Sequence, residues 1–225
     1  MTRAVIAIDP SMTSTGVAVW LCYNVDAPSP VSATSALVSA ADRRCVLATS
    51  SSYRKSSGFG ALESAIRDAV PPSYVWIAVI ERPPYAKHGV RAAPVEAEHR
   101  WVEWIERLAR ERAAEQGVRY RVPTIVRPDP SMWRAPIGLP TRGVGATPLA
   151  RRIDLKDKAC ALVRHEAQRT NSAVLLEASL DDDASEAALI GLWAMRCVVP
   201  FDRFLTKTRY RGRTTTKAEA LRWAV

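Results

Sequence analysis

Residues 3–20 read RAVIAIDPSMTSTGVAVW, and this stretch decides how the rest of the chain can fold. Its first apolar run, from Val5 to Ile8, is nearly uninterrupted, which is typical of a strand buried on both faces. Asp9 ends the run, so a carboxylate stands where the strand leaves the core. A hydroxyl-rich turn follows, and residues 17–22 predict a second strand that folds back as a hairpin. We attribute Gly16, at the start of that strand, to a close approach by backbone or ligand.

The composition indicates one compact domain with a polyanionic partner. With 225 residues, 48% of them hydrophobic, the chain can bury a sizeable core. No apolar run reaches the roughly 18 residues of a membrane span, and the N-terminus shows no secretory pattern, so we expect a cytoplasmic protein. Four scattered cysteines without a CxxC pair argue against zinc and disulfides. The net charge of +9 favours nucleic acid as partner, although an Ala- and Arg-rich genome composition would give the same excess.

The order of the remaining elements predicts an α/β domain around a mixed sheet. Further strands are predicted at 43–53, 74–80 and 119–126, the last at an edge because Pro123 interrupts it. Helices are predicted at 61–70, 94–116, 154–167 and 181–196. We assign residues 1–200 to the domain, within which residues 24–42 predict an irregular insertion and residues 128–152 a basic loop. Residues 201–225 predict a basic tail.

Carboxylates stand at three comparable places along the chain. Asp9 closes the first predicted strand, and Glu81 closes the fourth. Asp183 and Glu186 lie three residues apart in the first turn of the last predicted helix, hence on one face. If the two strands are parallel neighbours, their carboxylates emerge side by side at the carboxyl edge of the sheet, where the helix can add the others. Because such a cluster repels itself, we expect Mg²⁺ or Mn²⁺ there, two ions at about 4 Å that support phosphodiester hydrolysis.

Each of these residues also has an ordinary structural interpretation. Asp9 alone is more typical of a turn, and residues 181–183 alone are more typical of a helix cap that complements the helix dipole. Glu81 is equally consistent with an ion pair to Arg82 or with solvation at a strand end. The metal-site interpretation depends on all of these residues occurring at the right topological places together.

Three motifs together resemble the RuvC-like Holliday junction resolvases of the ribonuclease H-like superfamily. IAIDPSMTSTGVAV is similar to their first hairpin, VIERPPYAKHG to their second motif and DDDASEAALIGLWA to their last. The resemblance spans roughly residues 3–197. It implies an α/β, ribonuclease H-like mixed five-stranded sheet of order 3-2-1-4-5 flanked by helices. It also implies metal-binding and catalytic roles for Asp9, Glu81, Asp183 and Glu186.

The sequence departs from the family pattern at two points of the last motif. Glu186 stands where Asp is usual, which lengthens that ligand, and Asp182 beside Asp183 leaves the register open by one residue. The divergence of the chain suggests a phage or mobile-element version, which would act in the host cytoplasm or nucleoid.

The resemblance implies a Mg²⁺-dependent endonuclease that resolves Holliday junctions by symmetric phosphodiester hydrolysis, with two ions per active site. RIDLKDKACALV is similar to the family's basic helix, which implicates Lys156 and Lys158 in phosphate contact or transition-state stabilisation, Lys158 as a catalytic residue. Tyr85 and Trp133 are candidates for stacking at an opened base step, although core or turn roles fit them equally well. Phosphate contacts are expected from Lys87, Arg134, Arg142, Arg151, Arg152, Lys156 and Lys158.

Symmetric cutting of a two-fold junction predicts a homodimer. The apolar stripe of the second long helix is either the dimer interface or plain core, and it consists of Trp101, Trp104, Ile105 and Leu108. Two other functions stay open: a flap or fork nuclease of the same fold with relaxed specificity, and a non-catalytic DNA-binding module. An actin-like kinase is disfavoured because the chain is too short for two such domains and has no Gly-rich adenosine site.

Overall fold

The computed structural model describes residues 3–10, 14–23, 43–52, 56–72, 75–82, 92–120 and 122–198. Tyr85, Lys87, the predicted insertion 24–42 and the predicted tail 201–225 lie outside these residues. None of the helices in the described part of the chain has the length and apolar character that a membrane crossing demands.

Five strands and six α-helices make up the described part of the chain. The strands are β1 Arg3–Pro10, β2 Ser14–Cys22, β3 Arg43–Ser52, β4 Val75–Ile80 and β5 Thr124–Val126. The helices are α1 Ser56–Ala69, α2 Ala92–Glu115, α3 Pro130–Arg134, α4 Pro148–Thr170, α5 Ala173–Ala178 and α6 Asp182–Cys197. A turn of 3-10 helix, Ala135–Ile137, follows α3 directly.

The strands form one mixed sheet in the order β3-β2-β1-β4-β5. β2 is antiparallel to both β1 and β3, whereas β1, β4 and β5 run parallel to one another. This ribonuclease H-like arrangement confirms the fold and strand order that the motif resemblance implied. β5 lies at the edge of the sheet, as the proline at position 123 led us to expect. It begins only after Pro123, because proline has no N–H to donate to a neighbouring strand.

Helices cover both faces of the sheet, which explains why the strands are apolar without alternation. Successive side chains of a strand point to opposite faces. Val5 and Ala7 of β1 therefore enter the core beneath α4, α5 and α6. Ile6 and Ile8 enter a second core, which α1 and α2 cover.

The aromatic stripe of α2 belongs to this second core. Trp101, Trp104, Ile105 and Leu108 are at most 3% exposed within the single chain. Trp101 packs on Phe59 of α1 with ring centroids 4.4 Å apart. The stripe is therefore core, and it does not offer the exposed apolar surface that a dimer interface would need. The same packing explains why α1 begins five residues before the predicted 61: burial of Phe59 outweighs the low helix propensity of the glycine on either side.

Helices occupy much of the stretch 128–152 that was predicted as a loop. Trp133 is completely buried and anchors α3 to the core, so this segment packs inward despite its glycines and prolines. α4 begins at Pro148, where the hydroxyl oxygen of Thr147 accepts a hydrogen bond from the N–H of Ala150 at 3.1 Å. Proline at the first helical position and a threonine cap together form a standard helix start. The predicted helix at 154–167 is thus one part of a longer helix.

Candidate metal centre

Asp9 and Glu81 emerge together because β1 and β4 are parallel neighbours. The backbone N–H of Glu81 donates to the carbonyl oxygen of Ile8 at 2.9 Å, which extends the parallel ladder by one residue beyond β4. The two carboxyl groups lie close enough for the charge of Glu81 to raise the pKa of Asp9. The two strands are therefore the parallel neighbours that the sequence argument for these two residues required.

The amino end of α6 brings two further carboxylates to the same edge. Gly16 lies opposite Asp9 in the β1–β2 register, and a Cβ built on it would stand 2.0 Å from the carbonyl oxygen of Asp183. Only a residue without a side chain allows this approach, so Gly16 makes room for backbone. As a result, one carboxylate oxygen from each of Asp9, Asp183 and Glu186 lies within 4.8 Å of the other two.

The charge of this cluster is poorly compensated. Burial raises the pKa of Asp9 well above its ordinary value, and the neighbouring charges of Glu81 and Glu186 raise it further. Burial also raises the pKa of Glu81, against the opposing effect of a hydrogen bond from Trp133. The pKa of Glu186 is raised by burial as well, although Arg134 partly offsets that effect. The fully ionised cluster is therefore costly without more positive charge.

The donor set fits a hard divalent cation. Asp9, Asp183 and Glu186 offer only carboxylate oxygens, which Mg²⁺ and Mn²⁺ prefer, and each residue is at most 8% exposed. The group can therefore bind a metal ion. Glu81 lies beside Asp9 but outside this three-residue group.

Among the residues that the structure describes, two basic side chains contact the cluster directly. Arg134 of α3 donates from Nη2 to Glu186 Oε1 at 3.0 Å. Lys156 of α4 donates from Nζ to Asp183 Oδ1 at 3.1 Å and also to Asp182 Oδ2. Burial by itself lowers the pKa of Lys156, but these two carboxylates outweigh that effect and the net pKa is raised.

The three consecutive aspartates at the start of α6 have three different environments. Asp181 is the helix cap, and its Oδ1 accepts from the N–H of Ala184 at 2.8 Å. The side chain of Asp182 is 43% exposed and pairs with Lys156. Asp183 is the aspartate that belongs to the carboxylate group. Asp181 is therefore the helix cap, and Asp183 rather than Asp182 belongs to the group that could bind a metal ion.

Trp133 does not lie where a base-stacking residue would have to lie. Its side chain is fully buried, and its indole N–H donates to Glu81 Oε1 at 2.8 Å. A fully buried ring cannot stack on a base, so the structure supports the core role for Trp133 and not the stacking role. Trp133 instead orients a carboxylate of the cluster from within the core.

The other predicted basic residues that the structure describes lie around the start of α4, and the contacts of Lys158 and Arg151 do not reach the carboxylate group. Lys158 pairs with Asp154 at 2.7 Å, one helical turn before it. Arg151 donates from Nη1 to the carbonyl oxygen of Gly145 at 2.9 Å and so holds the preceding loop. Arg142 and Arg152 are exposed. The catalytic role predicted for Lys158 stays a prediction, while Lys156 is the lysine that contacts the cluster.

Comparison with known proteins gives similarity of structure only. No protein-family model matches the chain, and no curated protein matches its sequence. The structure of T. thermophilus RuvC in complex with Holliday junction substrate is similar, with a TM-score of 0.45 and 12% identity over 90% of this chain and 96% of that one. A further Thermus thermophilus RuvC structure gives a TM-score of 0.39 and 14% identity over 86% of this chain and 96% of that one.

Proposed function

We propose that this protein is a metal-dependent endonuclease that hydrolyses phosphodiester bonds in branched DNA, with the four-way junction as its substrate. One observation carries the proposal: Asp9, Asp183 and Glu186, up to 177 positions apart in the chain, converge into a buried group that can bind a metal ion. The motif resemblance supplies the reaction class, and the net charge of +9 suits a polyanionic substrate.

The proposed ligands are the three carboxylates of the group, with Glu81 as a fourth beside Asp9. Asp9 is the proposed shared ligand, since it belongs to the group with Asp183 and Glu186 and its pKa is also raised by the charge of Glu81. Mg²⁺ or Mn²⁺, two ions in the proposed active form, would supply activation of the attacking water and stabilisation of the leaving oxygen.

The residues around the carboxylates have distinct proposed tasks. Trp133 and Arg134 hold Glu81 and Glu186 through their hydrogen bonds, so that the carboxylates are oriented before substrate arrives. Lys156, with its side chain 19% exposed, stands beside Asp183 where it can contact an incoming phosphate. Because Lys156 is already paired, its contact with DNA would require it to leave Asp183.

Affinity for DNA is proposed to come from phosphate contacts around the start of α4. Arg142 and Arg152 are exposed there, and Lys156 projects from the same helix toward the carboxylates. Phosphate contacts are sequence-independent and weaken as salt rises. Recognition of a junction would then depend on its shape. Two symmetric cuts would require a homodimer formed by a surface other than the α2 stripe.

The test is a cleavage panel with labelled four-way junction, fork, flap and linear duplex, each with Mg²⁺, Mn²⁺ or EDTA. We expect junction cleavage that needs metal, is lost in Asp9→Asn and is kept in Asp181→Asn. Asp181→Asn is the matched control because asparagine caps a helix as well as aspartate does. Equal cleavage of fork, flap and junction would contradict a junction-specific resolvase and support a nuclease that cuts branched DNA in general. Binding without cleavage under any metal would leave only a DNA-binding module.

A further inference from the structure

A second charged site lies at the opposite end of the sheet from the carboxylates. A cavity of about 580 Å³ is bordered by Arg43 and Arg44 of β3 and by the chain that joins α4 to α5. Arg43 pairs with Cys22 at the far end of β2, whereas Gly16 lies opposite Asp9. Six strand residues, roughly 20 Å, therefore separate the cavity from the carboxylate group.

The cavity carries an excess of positive charge. Arg43, Arg44 and Arg169 line it. Glu166 accepts from Arg43 at 3.3 Å and from Arg169 at 2.6 Å, and it also faces Arg196 at 3.7 Å. The carboxylate of Glu166 is thus shared by three guanidinium groups. Arg44 adds a fourth positive charge beside the cavity. Burial lowers the pKa of Arg43 most, the nearby charge of Arg196 lowers it further, and Glu166 offsets part of that lowering.

Arg43 also has an unused buried donor. Its side chain is only 6% exposed, and its Nε has no hydrogen-bond acceptor within the described part of the chain. A buried N–H without an acceptor costs about 1–3 kcal/mol. Arg43 lines the cavity, so an oxygen acceptor bound there could give this donor a partner if the guanidinium group moves toward it.

We propose that this cavity binds a phosphate group, presented either by a nucleotide-sized molecule or by a DNA strand. Guanidinium groups bind phosphate oxygens in a bidentate manner. The volume is within the range of small-ligand sites, and Val174 and Leu175 give the cavity an apolar wall. The proposal does not depend on the metal centre, from which the cavity is separated by roughly 20 Å.

Isothermal titration calorimetry of the full chain in 0.15 M salt tests the proposal, with inorganic phosphate, a 5′-mononucleotide and a short unbranched duplex as probes. Arg44→Ala removes an exposed arginine of the cavity. Arg119→Ala is the matched control, since Arg119 is an exposed arginine between α2 and β5 that does not line the cavity. We expect Arg44→Ala, but not Arg119→Ala, to weaken binding at least tenfold.

The probes distinguish the two sources of phosphate. Weaker binding of phosphate or mononucleotide in Arg44→Ala identifies a small-molecule site, and weaker binding of duplex alone identifies a backbone contact. Arg43→Lys, which keeps the charge but removes Nε, should reduce affinity for the same probe, with folding checked by its thermal unfolding curve. Equal affinities for Arg44→Ala and Arg119→Ala with every probe would overturn the proposal, as would the absence of binding by the unmodified chain.

Discussion

Gly16 of β2 stands directly against the backbone of Asp183, so that a Cβ at position 16 would lie 2.0 Å from the Asp183 carbonyl oxygen. This contact sets how closely α6 approaches the end of β1, and therefore how closely Asp183 approaches Asp9. Gly16→Ala forces the two elements apart. We expect it to lower the free energy of unfolding by about 1–3 kcal/mol, as overpacking does, and to weaken Mn²⁺ binding. Urea unfolding and metal titration measure both effects.

Gly60→Ala is the matched control for that change. Gly60 lies within α1, and a Cβ there meets no atom within 4 Å. Alanine should therefore stabilise the helix by about 0.5–1 kcal/mol. Unchanged metal affinity in Gly16→Ala would contradict the role given to the close approach.

Asp9→Asn should stabilise the metal-free protein at neutral pH. Because burial raises the pKa of Asp9 in the folded state, the folded protein holds its proton more tightly than the unfolded chain does. This contribution to stability is complete below the unfolded pKa of about 4 and is lost as pH rises through the folded pKa. As pH rises, the free energy of unfolding of the variant should therefore increase relative to that of the unmodified chain. The increase should be about 1.4 kcal/mol for each unit by which folding raises the pKa of Asp9.

Urea unfolding in EDTA from about pH 3 to pH 8 measures that difference. Asp154→Asn is a control for which the expected change in stability has the opposite sign, because a hydrogen bond from Lys158 lowers the pKa of Asp154. That variant should lose stability relative to the unmodified chain above the unfolded pKa and not below it. A difference between Asp9→Asn and the unmodified chain that stays constant across pH would argue against a strained carboxylate at position 9.

Substitution of Lys156 and of Lys158 by alanine should have different effects on junction cleavage. Lys156 contacts Asp183, whereas Lys158 is paired with Asp154 on the same helix. We expect Lys156→Ala to slow junction cleavage at least about tenfold, or about 1.4 kcal/mol in activation free energy, with Lys158→Ala close to the unmodified rate. Single-turnover cleavage at saturating Mg²⁺ measures both. The reverse outcome would favour the catalytic assignment of Lys158 that the motif resemblance implied.

Trp133→Phe tests whether the buried indole orients Glu81. The variant keeps a ring in the core but loses the N–H that donates to Glu81 Oε1 at 2.8 Å. Since that hydrogen bond opposes the burial effect on Glu81, its loss should raise the pKa of Glu81 further. The pH profile of metal-dependent cleavage should then move to higher pH.

Trp101→Phe is the control for loss of ring volume. Trp101 is also fully buried, but its indole N–H has no acceptor among the residues that the structure describes. Both variants should lose stability through imperfect packing, by about 1–3 kcal/mol. A shifted pH profile in both, or in neither, would remove the positioning role of Trp133.

The sheet and half of the candidate site follow from local features of the sequence. A continuous apolar run that ends in a carboxylate defines both the strand and the place of the acid, which is why Asp9 and Glu81 were located from the pattern. The sequence does not show which of the three consecutive aspartates joins Asp9, because they stand in a row. Only the packing of the Asp183 backbone against Gly16 distinguishes Asp183 from its neighbours.

Other contacts of the site had weaker signals. Trp133 lies in a Gly- and Pro-rich stretch, and nothing local shows that its ring packs inward. Residues two apart on a helix point in different directions, so Lys156 and Lys158 have different neighbours. Asp154, four residues before Lys158, is the sequence signal for the Lys158 ion pair. The contact of Arg43 with Glu166 joins residues 123 positions apart and has no local signature.

The central claim is that distant carboxylates form one metal site, and titration with Mn²⁺ followed by electron paramagnetic resonance tests it most directly. The unmodified chain should bind Mn²⁺ at a specific site, Asp9→Asn and Glu186→Gln should each weaken that binding at least tenfold, and Asp181→Asn should leave it unchanged. Equal Mn²⁺ binding in all four proteins, or no specific binding in any, would contradict the account.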